Sequence, residues 1–228
     1  MISIAIPTAK MPDGEHLFAR CLESLWNQSF QDFEVVVTDN CDDDSIESIC
    51  RHYKTGIRYH RNPVKGMAQN TNEAIRRSKG DLVKILYMDD FMFHDRALER
   101  IIEHFRGQWL VTGCNHTRTD ALGTIPVRNR EYYYPHVPCY SDDINTGHNT
   151  IGSPSVLTIK NEHPIFFDEN MTWMLDCDYY YRLYQKYGDP AILKDVNVTI
   201  GLHDGQATNT MGSQVKENEY HYLINKYK

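Results

Sequence analysis

The 228-residue sequence has no GxGxxG phosphate loop and no GxxxxGK[ST] P-loop, which removes most of the support for ordinary dinucleotide-binding and ATPase readings. Its six cysteines (Cys21, Cys41, Cys50, Cys114, Cys139 and Cys177) form no CxxC pair and no zinc spacing. Several occupy apolar helix or strand positions, where a free thiol acts as a small hydrophobe, so a reducing compartment is expected. No run approaches the roughly 20 apolar residues that span a bilayer. Met1 to Pro7 is too short for a signal peptide and lacks a basic start, so the expectation is a cytoplasmic chain with no transmembrane segment. There is no Pro/Ser-rich linker, charge block, repeat or low-complexity stretch, and one domain is read over 1–228. A chain of this size buries roughly 70% of its unfolded surface, so it needs neither disulfides nor a structural metal for stability. The net charge is -7 with Lys and Arg scattered, which argues against a nucleic-acid partner. A nucleotide held through a metal stays compatible.

What is present alternates between two periods. Ile2 to Ile6 is an apolar run closed by Pro7 and Thr8, and reads as a central strand. Leu17, Cys21, Leu22, Leu25 and Trp26 recur at helical steps. Phe33 to Thr38 is dense in β-branched residues and ends at Asp39 and Asn40. Asp42 to Asp44 read as caps for a helix carrying Ile46, Ile49 and Cys50. Ile57 to His60 is a short strand, Asn62 to Gly66 a turn, and Met67 to Lys79 a helix. Such alternation implies parallel pairing with helices on both faces, a Rossmann-like first half over 1–113.

Lys84-Ile85-Leu86-Tyr87-Met88 then runs straight into Asp89 and Asp90, before helical spacing resumes at Leu98, Ile101, Ile102 and Phe105. Carboxylates at a strand end lie where open α/β sheets bind ligands. An acidic pair there suits a hard cation such as magnesium or manganese, which commonly bridges to phosphate; the pair equally suits the start of a helix.

The second half, 114–228, is less regular. From Cys114 to Ile151 the periodicity fades into what read as long loops, including Tyr132-Tyr133-Tyr134, which suits partial core or stacking on a sugar face. Ser155 to Ile159 reads as a strand, Asp176 to Tyr187 as a helix, Ala191 to Leu202 as β structure finishing at His203, and Val215 to Tyr227 as a polar helix. Asp176 falls near a helix start, where capping is its ordinary role.

Several motifs stand in a fixed order: Ile4-Ala5-Ile6-Pro7-Thr8, Val35 to Asn40, Gly66 to Asn72, Gly80 to Lys84, Asp89-Asp90, and Leu175-Asp176-Cys177-Asp178 with Arg182. In these the sequence resembles family 2 glycosyltransferases, inverting enzymes of the GT-A fold that use nucleotide-sugars and metal. The likeness covers nearly the whole chain. It implies a mostly parallel central sheet flanked by helices, with a nucleotide-sugar-binding half followed by an acceptor-binding half. It further implies that Pro7, Thr8 and Asp39 line the nucleoside pocket, with Asp39 accepting from a base N–H. A carboxylate there suits uracil, whose ring N–H is a donor. Gly66 and Asn70 fall where the family approaches nucleoside and ribose. Asp90 matches the direct metal ligand and Asp89 the residue towards ribose or donor sugar, with Mn2+ or Mg2+ as cofactor. Asp176 matches the catalytic base. His203 stands where some members place a residue near the diphosphate or metal. Two departures are evident: Tyr87 and Met88 precede the pair where the family often has further acids, and Leu175 replaces a common Glu.

The implied reaction moves a hexose from a UDP-sugar, UDP-glucose or similar, to a hydroxyl of a glycan, lipid-linked or other acceptor. A different class of reading is a catalytically silent nucleotide-sugar or glycan-binding module on the same fold. A sugar-nucleotide nucleotidylyltransferase ranks last, because no Gly-rich N-terminal loop with a following Arg and Lys is present to hold a triphosphate.

Overall fold

Strand β1 (Ile2–Thr8) is buried along its whole length, as a continuous apolar run between two sheet neighbours must be. In the computed structural model, which describes residues 1–53, 56–118 and 133–228, β1 pairs in parallel with β2 (Phe33–Asp39) and with β4 (Leu82–Ile85), and β2 pairs in parallel with β3 (Ile57–Arg61). Helices α1 (Gly14–Trp26), α2 (Ser45–His52) and α3 (Met67–Arg77) make the connections. The periodicity in α1 reports its packing, since Leu17, Phe18, Cys21, Leu22 and Leu25 are all buried. Ahead of α2, the capping oxygen belongs to Asp43, which accepts from the Ser45 N–H at 3.1 Å.

Pro7 does not end β1. The Leu86 N–H donates to the Ala5 carbonyl at 3.0 Å, so Ala5 faces β4. Two residues on, Pro7 faces the same flank with no N–H to offer. The strand therefore continues beside β2 to Thr8, paired with Asp39, while β4 has already departed. A crevice opens where the two strands part.

Beyond β4 the sheet changes character. Strand β8 (Leu157–Lys160) is antiparallel to β4 and to β6 (Trp109–Arg118). Strand β9 (Ala191–Leu202) is parallel to β6, and β5 (Phe91–Met92) is antiparallel to β9. The spatial order is β3-β2-β1-β4-β8-β6-β9-β5, with β7 (Tyr133–His136) paired to β6. The first four strands give the parallel half that the alternation implies, and the later strands a mixed one. The remaining helices are α4 (Ala97–His104), α5 (Leu175–Tyr187), the short α6 (Ala207–Thr210) and α7 (Ser213–Lys226). Among the described residues no helix is long and apolar enough to cross a membrane.

The loop reading from Cys114 onward is corrected at both ends of that stretch. Strand β6 runs on to Arg118, and Tyr133 and Tyr134 belong to β7; Tyr132 lies outside the described residues. Asn115 and Thr117 are each 2% exposed, and a buried strand built partly from polar side chains carries no hydrophobic alternation.

Helix α7 buries only Glu219 and Leu223, so polar contacts hold it. Asp178 of α5 is fully buried. One of its oxygens accepts from Arg182 Nε and Nη2 at 2.8 and 2.6 Å, the other from Lys226 Nζ and the Tyr227 hydroxyl, both at 2.6 Å. Removing a buried ion-pair partner costs about 3–5 kcal/mol. Arg182 and Lys226 are each 26% exposed and so partly screened, which lowers the expected cost of Asp178→Ala to about 2–3 kcal/mol. Urea denaturation measures it, and an unchanged midpoint would mean that Leu223 packing alone holds α7.

Candidate functional site

The crevice beyond the strand ends is a cleft of about 520 Å3. Pro7, Thr8, Gly66, Asn70, Asp89, Asp90 and Asp176 all line it, so seven of the nine residues singled out in the sequence converge on one space. Asp39 and His203 stand behind the lining.

On the β1 and β2 side the polar groups hold one another. The Asn70 side-chain amide donates to the carbonyls of Thr8 and Thr38, at 2.9 Å each, clipping α3 to both strand ends. Asp39 is fully buried. It accepts from the Thr8 hydroxyl at 2.9 Å, the Cys41 N–H at 2.8 Å and the Tyr59 hydroxyl at 2.7 Å. Asn40, its neighbour, reaches the cleft instead and accepts from the Gly66 N–H at 3.1 Å. Gly66 has φ of 133°, a left-handed conformation open to glycine, and a Cβ there would lie 2.0 Å from Gln69 Oε1.

Across the cleft, Asp89 and Asp90 form the turn between β4 and β5. Asp90 is 2% exposed, and its Oδ1 accepts from the Gly201 N–H at 2.9 Å. Burial first, then the adjacent Asp89 charge, holds its carboxyl well above the usual carboxylate range. Asp89 Oδ2 lies 3.0 Å from His203 Nε2, and Arg20 donates to the Asp89 carbonyl at 2.6 Å. His203 thus supports Asp89 from behind. Among the described residues no three His, Cys, Asp or Glu side chains converge as a metal cage. Two adjacent carboxylates facing a cleft nevertheless fit magnesium or manganese, which are commonly bound by one or two carboxylates together with substrate phosphates.

Asp176 occupies the first turn of α5. Its Oδ1 accepts from the Cys177 N–H and its Oδ2 from the Asn149 side-chain amide, at 2.7 Å each. Burial pushes its carboxyl up to about 6, against the lowering effect of those hydrogen bonds. A carboxylate poised near neutrality beside a cleft has the character of a general base.

Several supporting residues gave no sequence signal. Asn149 lies in a loop. Lys84 is fully buried on β4, and its ammonium donates to the Ser155 carbonyl and, at 3.4 Å, to that of Leu157. Burial pulls it down to about 7. Ser155 in turn accepts from the Tyr87 N–H at 2.8 Å, bracing the approach to the acidic pair.

The family model of glycosyl transferase family 2 matches residues 3–160. Chondroitin synthase of Escherichia coli is 31% identical over 109 residues, 46% of this chain but 15% of that protein. An uncharacterized glycosyltransferase of Rickettsia typhi is 23% identical over 96% of this chain and 69% of its own length. Among solved structures, S. aureus TarS 1-349 in complex with UDP-GlcNAc superposes with a TM-score of 0.65 at 19% identity, covering 98% of this chain and 65% of that one. The complex of the same TarS segment with UDP gives 0.63 at 18% identity, covering 99% and 70%. These superpositions establish the GT-A fold, whose curled mixed sheet this chain shares.

Strand β9 crosses the acidic turn at a glycine because nothing larger fits: a Cβ on Gly201 would stand 2.3 Å from the Asp89 carbonyl oxygen. Gly201→Ala must therefore push β9 and the Asp89–Asp90 turn apart. Overpacking of this kind costs about 1–3 kcal/mol. The expected outcome is a lower thermal midpoint, measured by calorimetry; an unchanged midpoint would show that the turn tolerates displacement.

Proposed function

The chain belongs to glycosyl transferase family 2 and is a glycosyltransferase, and from that premise we propose that it moves a hexose from a UDP-sugar to an acceptor hydroxyl with inversion. The observation carrying this reading is that Asp176, with its carboxyl near 6, and the Asp89–Asp90 pair line the same cleft. The TarS complexes with UDP and UDP-GlcNAc support a UDP-sugar as donor. The acceptor proposed is a glycan or glycolipid hydroxyl.

A sugar hydroxyl is a poor nucleophile. Asp176 takes its proton as the acceptor oxygen bonds to the anomeric carbon, a contribution of about 10²- to 10⁴-fold. The bond from that carbon to the β-phosphate oxygen breaks, and its electron pair leaves with UDP. Asn149 and the Cys177 N–H hold the Asp176 carboxylate in one orientation while it accepts the proton. A divalent cation on Asp89 and Asp90 would neutralise the charge growing on the β-phosphate, without proton transfer. Asn40, Gly66 and Asn70, which line the opposite wall, would contact the nucleoside. Asp39 contributes from behind by fixing Thr8, which itself lines the cleft.

Asp176→Asn is expected to leave UDP affinity within about twofold while UDP release from UDP-sugars falls by about 10²-fold or more. The base must be ionised to work and its carboxyl sits near 6, so wild-type turnover should rise with pH through about 6 and level off above. A rate for Asp176→Asn equal to wild type removes Asp176 as base. Asp90→Ala should abolish the manganese-dependent part of UDP binding; calorimetry giving the same wild-type affinity in EDTA as in manganese would refute a metal on the acidic pair.

A further inference from the structure

Glu219 of α7 sits 45 residues from Met174 in sequence, yet its carboxylate is buried against the loop leading into α5. Oε1 accepts from the Thr172 N–H at 2.9 Å; Oε2 accepts from the Trp173 N–H at 2.7 Å and the Met174 N–H at 3.0 Å. Met174 is the N-cap of α5 and supplies no side-chain hydrogen bond, since a thioether is at best a weak acceptor. A carboxylate borrowed from another helix thus satisfies the N-cap's own N–H, as the N3 Glu of a capping box does locally, together with the two N–H groups before it, at the end of α5 that favours negative charge.

The residues gripped in this way are those of the site. Thr172 and Trp173 line the cleft, and Asp176 follows Met174 by two positions. Further along α7, Lys226 donates to Asp168 and to Asp178, at 2.5 and 2.6 Å. Helix α7, which otherwise buries only Leu223, therefore holds the 168–178 segment at three places: at Asp168 and at 172–174 before the base, and at Asp178 after it. All of these residues lie outside the 3–160 stretch matched by the family model.

We infer that Glu219 is a positioning residue for the general base: through three backbone N–H groups it sets the start of α5, and with it the distance of Asp176 from the donor. This rests on the reading of Asp176 as base. Glu219 touches no reacting atom, and Asn149 grips Asp176 from the other side.

The test is Glu219→Gln, which keeps the size of the side chain but turns one acceptor into an N–H donor facing backbone N–H groups. UDP affinity in manganese, by calorimetry, should stay within about twofold, because the nucleoside wall is built on β1, β2 and α3. The kcat for UDP release, with whichever of UDP-glucose and UDP-GlcNAc the wild type turns over, should fall tenfold or more with the donor KM within about threefold. Hydrogen exchange, which needs no turnover, should accelerate at 172–178 and remain slow in β1 and β4. Unchanged exchange at 172–178, or a kcat within twofold of wild type, overturns the inference. So does faster exchange throughout the sheet with loss of UDP binding, which is the mark of a merely structural residue. If Glu219→Gln fails to fold, Leu223→Ala loosens α7 by packing alone and should give the same split, with the same results overturning it. Asp176→Asn run alongside separates the two readings: if it alone keeps wild-type kcat, the base assignment fails, whereas if it alone loses kcat, the role of Glu219 fails.

Discussion

Two adjacent carboxyl groups, Asp90 buried and Asp89 partly exposed at the cleft, are the constraint around which the neighbouring elements are arranged. Burial first, and then the neighbouring Asp89 charge, disfavour ionised Asp90. The chain answers from three directions. Gly201 of β9 offers its N–H to Asp90, His203 beyond the end of the same strand meets Asp89, and Arg20 of α1 secures the Asp89 carbonyl. These contacts fix the orientation of both carboxyl groups at the edge of the cleft. That is the condition for a site whose electrostatics are set before its substrate arrives.

The opposite wall obeys another rule. There the groups around the strand ends, Thr8, Asp39, Asn70 and Tyr59, satisfy one another within the protein, so the wall is rigid and its chemistry is presented through Thr8, Asn40 and Gly66. The two walls are joined by one continuous sheet whose strand directions change at β8, immediately beyond the strand that delivers the acids. Asp176 comes from neither wall but from α5, anchored by loop and helix contacts of its own.

How far this was legible in the sequence follows from the range of each interaction. Asp89, Asp90, Thr8 and Asp176 were visible because their positions follow from local rules: an apolar run stops, or a helix begins. Asp39 was visible as a strand terminus, but the direction of its side chain depends on Tyr59 from a neighbouring strand, which no periodicity encodes. His203 was found by its place after β9; that it faces Asp89 required the sheet to be assembled. Asn149, Ser155, Lys84 and Glu219 escaped because each acts on a partner between 27 and 71 residues away, and their immediate neighbours read as loop, strand or solvated helix. The buried end of β6 was missed for a related reason, since Asn115 and Thr117 satisfy the pleat without advertising it.

Pro7 marks the place where the cleft begins. Between β1 and the departing β4 the ladder of backbone pairs ends at Ala5 and Leu86. Here one edge has lost a rung: the nitrogen that would face β4 two residues past Ala5 carries no hydrogen. The next rung between the two strands therefore cannot form, and β1 meets the mouth of the cleft without leaving a backbone donor unpaired there.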